Sequence, residues 1–272
     1  MGVLRVTVLG CGSSGGVPRA TGDWGVCDPN EPKNRRTRCG LLLQQWSGAE
    51  AGPAEEATTV LIDTPPEIRQ QLAAAGAARL DGVIISHDHA DQTNGFDDVR
   101  AFFLKQRTPI PVWMDETTRE TFMRRFDYAF VSGPGYPAIV RGGGDISPRV
   151  PIVVVGPGGA LEVLPLDQDH GFSRSLGFRA GPVGYSNDLV SMPEESFAEL
   201  AGLQLWIVDA LRDRPHPTHA HVERSLEWIA RLKPGLALLT NMHIDLDYAA
   251  LKARLPAGVE PAYDGWTSEY PI

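Results

Sequence analysis

The sequence is poor in cysteine, and it lacks both an excess of positive charge and a long apolar run. Its three cysteines, Cys11, Cys27 and Cys39, do not form the framework of paired cysteines found in small secreted domains, which weakly favours a reducing compartment. No apolar run reaches the length of a membrane span, and no signal peptide precedes the first strand-like segment. We therefore expect a soluble, cytoplasmic protein with no membrane partner.

The net charge is -9 over 272 residues. Because an acidic surface repels phosphate backbones, we expect no broad nucleic-acid binding, although a local basic patch can still hold one phosphate group. The length fits one large α/β domain or two small ones, and a homodimer is left open.

One stretch, 86–100, organises the chain. The apolar run 81–85 before it predicts a buried strand, and 95–103 predicts a helix. His87, His89 and Asp91 therefore fall on the turn between a strand and a helix. Imidazole and carboxylate groups spaced two residues apart can converge on one ion, and they are ligands that Zn, Mn or Fe takes. The pattern predicts a metal site at this turn.

Elsewhere, apolar runs and alternating patterns predict both strands and helices, which indicates an α/β protein. The predicted strands are 3–9, 40–45, 58–63, 110–114, 151–155, 160–166, 175–179, 182–185, 203–209 and 236–240. The predicted helices are 63–75, capped by Asp63 or Thr64, and 116–126, 222–232 and 245–255. Residues 128–149 are rich in glycine and proline, and they predict a surface loop or lid.

Two segments near the start of the chain are candidates for binding a phosphate. The glycine-rich loop 10–16 lacks the spacing of a dinucleotide fingerprint, so a tight loop that brings backbone close to the site is favoured. Ser13 and Ser14 of this loop are candidate substrate-binding residues. The basic cluster 33–38 is either a solvated loop or a phosphate clamp, because arginine forks match phosphate oxygens; Arg35 and Arg36 are its candidates.

The motif His-x-His-x-Asp at 87–91, followed by Gly-Phe-Asp-Asp-Val-Arg at 95–100, resembles the signature of the metallo-β-lactamase fold, in its branch of cyclic-phosphate phosphodiesterases. The resemblance runs from Val3 to Gly265. It implies an αββα sandwich with two mixed sheets and outer helices, as a single domain over residues 1–272. It also implies a metal-dependent phosphodiesterase that hydrolyses a small cyclic phosphodiester, such as a ribose cyclic phosphate, with one or two divalent ions, zinc or manganese.

The same resemblance implies a role for each matching residue. For Asp63, which could also cap a helix, it implies support of the site from behind the ligands. It assigns a first ion to His87, His89 and His170, and a second ion to Asp91 and His243, with Asp188 bridging the two. His219 is the implied proton donor beside the scissile phosphate, and Asp91 is counted with it among the catalytic residues. His216 and Arg212, in the segment before His219, are further candidate substrate-binding residues: His216 could orient the segment, and Arg212 either contacts the substrate phosphate or is simply exposed.

Gln92 departs from the family pattern, which has a histidine ligand at this position. An amide oxygen is a weaker ligand for zinc or manganese than a neutral imidazole. Three outcomes stay open: a dinuclear site with altered metal preference, a mononuclear site with weaker catalysis, or a phosphate-binding protein without turnover. A tRNA 3′-processing-like nuclease would share the metal set, but the acidic balance and the lack of a recognisable tRNA-gripping arm argue against it.

Overall fold

The computed structural model describes residues 2–272. The strands, in chain order, are β1 (Val3–Gly10), β2 (Gly40–Trp46), β3 (Thr58–Ile62), β4 (Gly82–Ile84), β5 (Ile110–Met114), β6 (Val140–Asp145), β7 (Ile152–Gly156), β8 (Gly159–Asp169), β9 (Arg174–Ala180), β10 (Val183–Ser186), β11 (Leu205–Asp209), β12 (Leu236–Thr240), β13 (Val259–Pro261) and β14 (Thr267–Pro271). The α-helices are α1 (Ile68–Ala74), α2 (Ala90–Thr93), α3 (Arg100–Gln106), α4 (Glu116–Phe130), α5 (Glu194–Glu199), α6 (Val222–Leu232) and α7 (Tyr248–Arg254). No helix within residues 2–272 has the length and apolar character that crossing a membrane requires.

The strands form two mixed sheets of seven strands each. The spatial order of the first is β14-β1-β2-β3-β4-β5-β6, and that of the second is β13-β12-β11-β10-β9-β8-β7. In the first sheet, β2 and β3 pair antiparallel, whereas β3 to β6 run parallel. In the second, β10 to β13 run parallel and β8 to β10 antiparallel. This architecture confirms the α/β prediction with two mixed sheets.

The chain divides into two compact units. The first contains the residues up to Leu9, Gly40–Glu162 and Thr267–Ile272, and the second contains Gly10–Cys39 and Val163–Trp266. The single domain expected over 1–272 stays a prediction.

The core of the first unit lies between its central strands and its helices. Strands β2 and β3 are buried at every position, and each contains a run of three apolar residues, 41–43 and 60–62, rather than an alternating pattern. Phe96, just after the histidine motif, packs in one cluster with Ile68 of α1 and Phe122 of α4. The rings of Phe96 and Phe122 meet edge to face, with centroids 4.7 Å apart. This packing anchors the segment that follows the histidine turn.

Three parallel strands organise the second unit. Strands β10, β11 and β12 lie side by side, and all five positions of β11 are buried. The indole of Trp206 in β11 donates a hydrogen bond of 3.0 Å to Ser186 Oγ at the end of β10. Because parallel strands end at one edge of a sheet, the residues that follow them are brought together there, as at the ligand-binding edge of other α/β proteins.

Two secondary-structure predictions were wrong in detail. Helix α1 begins at Ile68 rather than at Pro65, and Asp63 does not cap it. Residues 128–149 are not all loop, because α4 continues to Phe130 and 140–145 forms the edge strand β6. Strand β6 contains three consecutive glycines, and because glycine has a low β-propensity, the sequence does not predict a strand here. Packing requires glycine at the middle position, since a Cβ at Gly143 would lie 2.4 Å from the Trp113 ring, whereas a Cβ at Gly142 would meet nothing within 4 Å.

Candidate metal centre

The predicted histidine turn connects β4 to α2 in the first unit. His87 is buried, His89 is exposed, and Asp91 lies in the first turn of α2. The two imidazole rings stand edge to face with centroids 4.5 Å apart. Two imidazoles presented by one short turn are a suitable pair of ligands for a divalent transition metal.

A chain of hydrogen bonds supports His87 from behind. The backbone N–H and the Oγ–H of Ser86 each donate to the Asp63 carboxylate at 2.8 Å. Since the Ser86 proton points to Asp63, its oxygen can accept from His87 Nδ1–H, 3.0 Å away. This arrangement favours the tautomer in which Nε2 is the ligand atom, and such supporting contacts typically orient metal-binding histidines.

Both the backbone conformation and the carboxyl pKa of Asp63 are unusual. It is fully buried, and its backbone has φ of 63°, in the left-handed region that aspartate tolerates better than most residues. Burial raises the pKa of its carboxyl to about 7, against the opposing effect of the two Ser86 hydrogen bonds. Of the two roles expected for Asp63, the structure therefore shows a buried support of the histidine turn and not a helix cap.

Arg125 also stabilises the turn, and sequence reasoning missed it. Its guanidinium reaches from α4 and donates to the Asp88 carbonyl at 2.7 Å and to Thr93 Oγ1 at 3.1 Å. Thr93 Oγ1 in turn donates to the His89 carbonyl at 2.8 Å. The signal is absent from the local sequence because Arg125 lies on a helix far along the chain.

In the second unit, His170, Asp188 and His219 come together. One possible ligand atom of each residue lies within 4.8 Å of those of the other two. His170 follows β8, Asp188 follows β10, and His219 precedes α6. Two imidazoles and a carboxylate are a donor set that fits zinc or manganese. The sequence predicted the first two as ligands and His219 as the proton donor, and the structure places all three in one group.

Both histidines of this group are oriented through Nδ1. His170 Nδ1 lies 2.8 Å from the carbonyl oxygen of Thr218, to which it donates. His219 Nδ1 lies 2.9 Å from Oδ2 of Asp209, a carboxylate buried at the end of β11. These contacts favour a proton on Nδ1 and leave Nε2 as the ring nitrogen directed to an ion or a substrate.

Two supporting residues in this unit, Asp209 and Asn241, were not assigned from the sequence. Burial raises the pKa of Asp209, while the neighbouring His219 opposes that rise. Asn241 Nδ2 donates to Asp188 Oδ1 at 3.0 Å, and both residues adopt left-handed backbone, with φ of 60° and 53°. Each is a polar residue at the end of an apolar strand, a signal that the sequence did contain.

His243, predicted as the last metal ligand, follows β12 and has other partners. Its Nδ1 lies 3.0 Å from Asp245 Oδ2, and the Arg19 guanidinium donates to its Nε2. Burial lowers the pKa of His243, an effect that Asp245 opposes and Arg19 adds to. Within residues 2–272, His243 does not join the group of His170, Asp188 and His219.

The three predicted phosphate-binding arginines lie in different environments. Arg36 is buried, and its guanidinium donates to the carbonyl of His243 at 3.4 Å and to Asn34 Oδ1 at 3.2 Å, which fits a structural role better than substrate binding. Arg35 is exposed over the Trp24 ring. Arg212 donates to two carbonyls of its own loop, at 3.3 and 3.4 Å.

The remaining predicted substrate contacts lie near the second-unit histidines or in the glycine-rich loop. The His216 ring stands 5.1 Å from that of His219, and its Nδ1 is 3.3 Å from the Thr218 N–H. Ser13 is buried, with its backbone N–H bonded to the Met242 carbonyl, whereas Ser14 is exposed. The structure therefore offers Ser14 and His216 to a ligand more readily than Ser13.

Comparisons with known proteins place these observations in context. A family model described as a beta-lactamase superfamily domain matches residues 58–244. A crystal structure described as a new diphosphatase from the PhnP family is 31% identical, has a TM-score of 0.86, and the match covers 99% of this chain and 98% of that one. The crystal structure of the short form of human tRNase Z is 15% identical, with a TM-score of 0.64, and the match covers 98% of this chain and 100% of that one. At this identity the likeness shows a shared fold alone.

A curated protein of Porphyromonas gingivalis, an octanoyltransferase, is 28% identical over 267 residues. The match covers 96% of this chain but 51% of that protein, so this chain spans about half the length of that relative.

Proposed function

We propose, from the premise that this chain belongs to the beta-lactamase superfamily, that it is a metal-dependent hydrolase of a small, cyclic phosphodiester. The match over 58–244 confirms the predicted metallo-β-lactamase sandwich with its two mixed sheets. The observation that carries the proposal is the group of His170, Asp188 and His219, in which His219, the proposed proton donor, stands beside two of the proposed metal ligands. Both histidines are held by hydrogen-bond acceptors at Nδ1.

The motif implies His87, His89, His170 and Asp188 as ligands of a first divalent ion, zinc or manganese. Asp91 and His243, with Asp188 shared, are the implied ligands of a second ion. A bound divalent ion would lower the pKa of a water molecule and neutralise phosphate charge. The donor set supports this assignment, because neutral imidazoles and carboxylates suit both metals. The ligands must be deprotonated, so we expect activity to fall in acid.

His219 is the proposed proton donor to the leaving alkoxide. A histidine hydrogen-bonded to a carboxylate keeps its ring fixed and its Nε2 basic, so that Nε2 can carry the transferred proton. Asp209 supplies that carboxylate from a fully buried position. His216 lies close enough to influence the same region, with its pKa lowered mainly by burial.

A second candidate function is hydrolysis of a small diphosphate. It is favoured by the relative described as a diphosphatase, which this chain matches at 31% identity over almost the full length of both chains. A tRNA nuclease activity has weaker support, because 15% identity carries the fold only. Octanoyl transfer is a property of a relative twice as long and is not proposed for this chain. A cytoplasmic location, the absence of a membrane partner and the possibility of a homodimer remain predictions.

The test is hydrolysis by metal-stripped protein that has been reloaded with manganese or zinc. The substrates are a phosphoribosyl cyclic phosphate, a bis-aryl phosphodiester and a small organic diphosphate, and His219→Ala serves as the impaired variant. We expect turnover that saturates with metal and falls by about 10²- to 10⁴-fold in the variant. Metal binding without hydrolysis of any phosphate compound would favour a phosphate-binding protein instead.

A further inference from the structure

Arg19 places a guanidinium on the last histidine of the predicted metal set. Its Nη2 donates to Nε2 of His243 within the second unit. The backbone of Arg19 is fixed by a tight turn, in which its N–H donates to the Asp23 carbonyl and its own carbonyl accepts from the Gly22 N–H, both at 2.8 Å. The backbone position from which the Arg19 side chain extends is therefore fixed.

Gly15 provides the space that this guanidinium occupies. A Cβ at Gly15 would lie 1.8 Å from Arg19 Nη1 and 2.7 Å from its Cζ. Because Gly15 is outside the left-handed backbone region, the reason for glycine here is steric and not conformational. The glycine-rich loop after β1 thus accommodates a cationic side chain.

The contact engages the atom of His243 that a metal would need. Because a guanidinium has only donors, its contact with His243 requires the lone pair on Nε2 and the proton on Nδ1, the nitrogen that lies 3.0 Å from Asp245 Oδ2. A lone pair that accepts a guanidinium N–H cannot at the same time coordinate a cation. Arginine keeps its charge at every physiological pH, so proton loss does not release the lone pair.

Gln92 is a second change in the same ligand set, since a weakly coordinating amide stands where the family has an imidazole. Two of the four positions implied for the second ion, Gln92 and His243, are therefore altered. We propose that the Arg19 guanidinium replaces the second metal ion, so that this chain binds one divalent ion and Arg19 supplies the other positive charge at the substrate phosphate. The inference rests on the proposed function, which provides the phosphate.

The guanidinium has the chemistry for this role. Among the described residues, its side-chain hydrogen bond goes to His243, and it has further N–H donors in a planar fork. Such a fork matches two oxygens of a phosphate, and charge-assisted hydrogen bonds of this kind are short and strong. His243 would then act as the acceptor that positions the guanidinium.

Counting metal ions tests the inference without any need for turnover. The full chain is loaded with excess manganese or zinc, desalted, and analysed by plasma mass spectrometry. We expect about one ion per chain, the number that the intact ligand set can hold. A wild-type count of about two would overturn the inference.

A double variant, Arg19→Ala with Gln92→His, removes the guanidinium and restores the imidazole. We expect its count to rise to about two ions per chain. The matched control is Arg224→Ala, which removes an exposed arginine of α6 that lies 3.8 Å from Glu227 and should leave the count unchanged. A folded double variant that still holds a single ion would contradict the inference, and the wild-type count remains decisive if the variant does not fold.

Turnover separates this inference from the proposed function. If the wild-type protein holds one ion but hydrolyses no phosphate compound, the proposed function is wrong, whereas the ion count still supports the role of Arg19. If it holds two ions and hydrolyses a phosphate compound, the proposed function is supported and the role of Arg19 is wrong. With turnover present, Arg19→Ala should lower kcat/KM by about 10- to 100-fold, the loss expected for one charged hydrogen bond. Partial rescue by dilute guanidinium chloride would support a direct role, and unchanged kcat/KM would oppose it.

Discussion

His219 Nδ1 and Asp209 Oδ2 lie 2.9 Å apart at the carboxyl end of β11. The same Asp209 oxygen accepts the backbone N–H of Leu189, the residue after Asp188, at 3.2 Å. One buried carboxylate therefore orients the histidine and fixes the loop that carries the neighbouring ligand. A substitution at Asp209 should therefore impair catalysis through both His219 and the loop that carries Asp188.

We expect Asp209→Asn to lower kcat/KM for a phosphodiester by about 10²- to 10⁴-fold. The amide has nearly the same shape but no charge, so it no longer stabilises a protonated His219 ring. The measurement is steady-state hydrolysis at several pH values, with bound metal counted in parallel. An unchanged rate at equal metal content would show that the carboxylate does not act through His219.

Ser86→Ala should weaken metal binding by about 10- to 100-fold, the usual effect of losing a residue that orients a ligand. The variant breaks the hydrogen-bond chain from Asp63 to His87 and deprives buried Asp63 of one donor. Competition with a chromophoric chelator measures the affinity. Ser147→Ala, at an exposed serine, is the control, and equal affinity in both variants would rule out the orienting role.

The pH dependence of stability should reveal Asp264. This partly buried carboxyl accepts hydrogen bonds from the Thr37 N–H at 2.7 Å and the Cys11 N–H at 3.1 Å, yet the loss of hydration raises its pKa from 3.8 to about 6. Between about pH 4 and pH 6 the folded protein keeps the proton that the unfolded chain has lost. The free energy of unfolding should therefore fall as pH rises through this window, by about 3 kcal/mol at 1.36 kcal/mol per pKa unit.

Urea unfolding of the wild type and of Asp264→Asn, from pH 4 to pH 7, isolates this contribution. The variant should lose that part of the slope. The variant should also be less stable at every pH. The Asn side chain has one acceptor oxygen, so its NH2 group would face either the Thr37 N–H or the Cys11 N–H, and that donor would lose its hydrogen bond. Parallel curves for the two proteins would assign the pH dependence to other groups.

Arg125→Ala should loosen the histidine turn with little effect on global stability. Arg125 is exposed, so its removal should change the free energy of unfolding by less than about 1 kcal/mol. Its hydrogen bonds to Asp88 and Thr93 hold the backbone on both sides of His89. Hydrogen exchange in 88–93 should speed up in this variant and not in Arg124→Ala, its neighbour on α4. Equal exchange in the two variants would contradict the assignment.

The sequence determined the parts of this protein that depend on local pattern. Apolar runs predicted most strands of both sheets, since burial on two faces favours hydrophobic residues at consecutive positions, as at 41–43 in β2 and 60–62 in β3. The histidine motif after such a run predicted where ligands emerge, because a strand end fixes the turn that follows it. His170 and Asp188, each at the end of a strand, were predicted as ligands from the family resemblance, and the structure places them in one group.

Only the tertiary structure decided which groups stand behind those ligands. Asp63 supports the turn at His87 instead of capping a helix, and Arg19 meets His243 across 224 positions of the chain. In β6, Gly143 leaves the space that the Trp113 ring occupies. Such contacts join residues remote in sequence, and the hydrogen bonds that set a tautomer or hold a guanidinium arise only when folding brings both partners to one place.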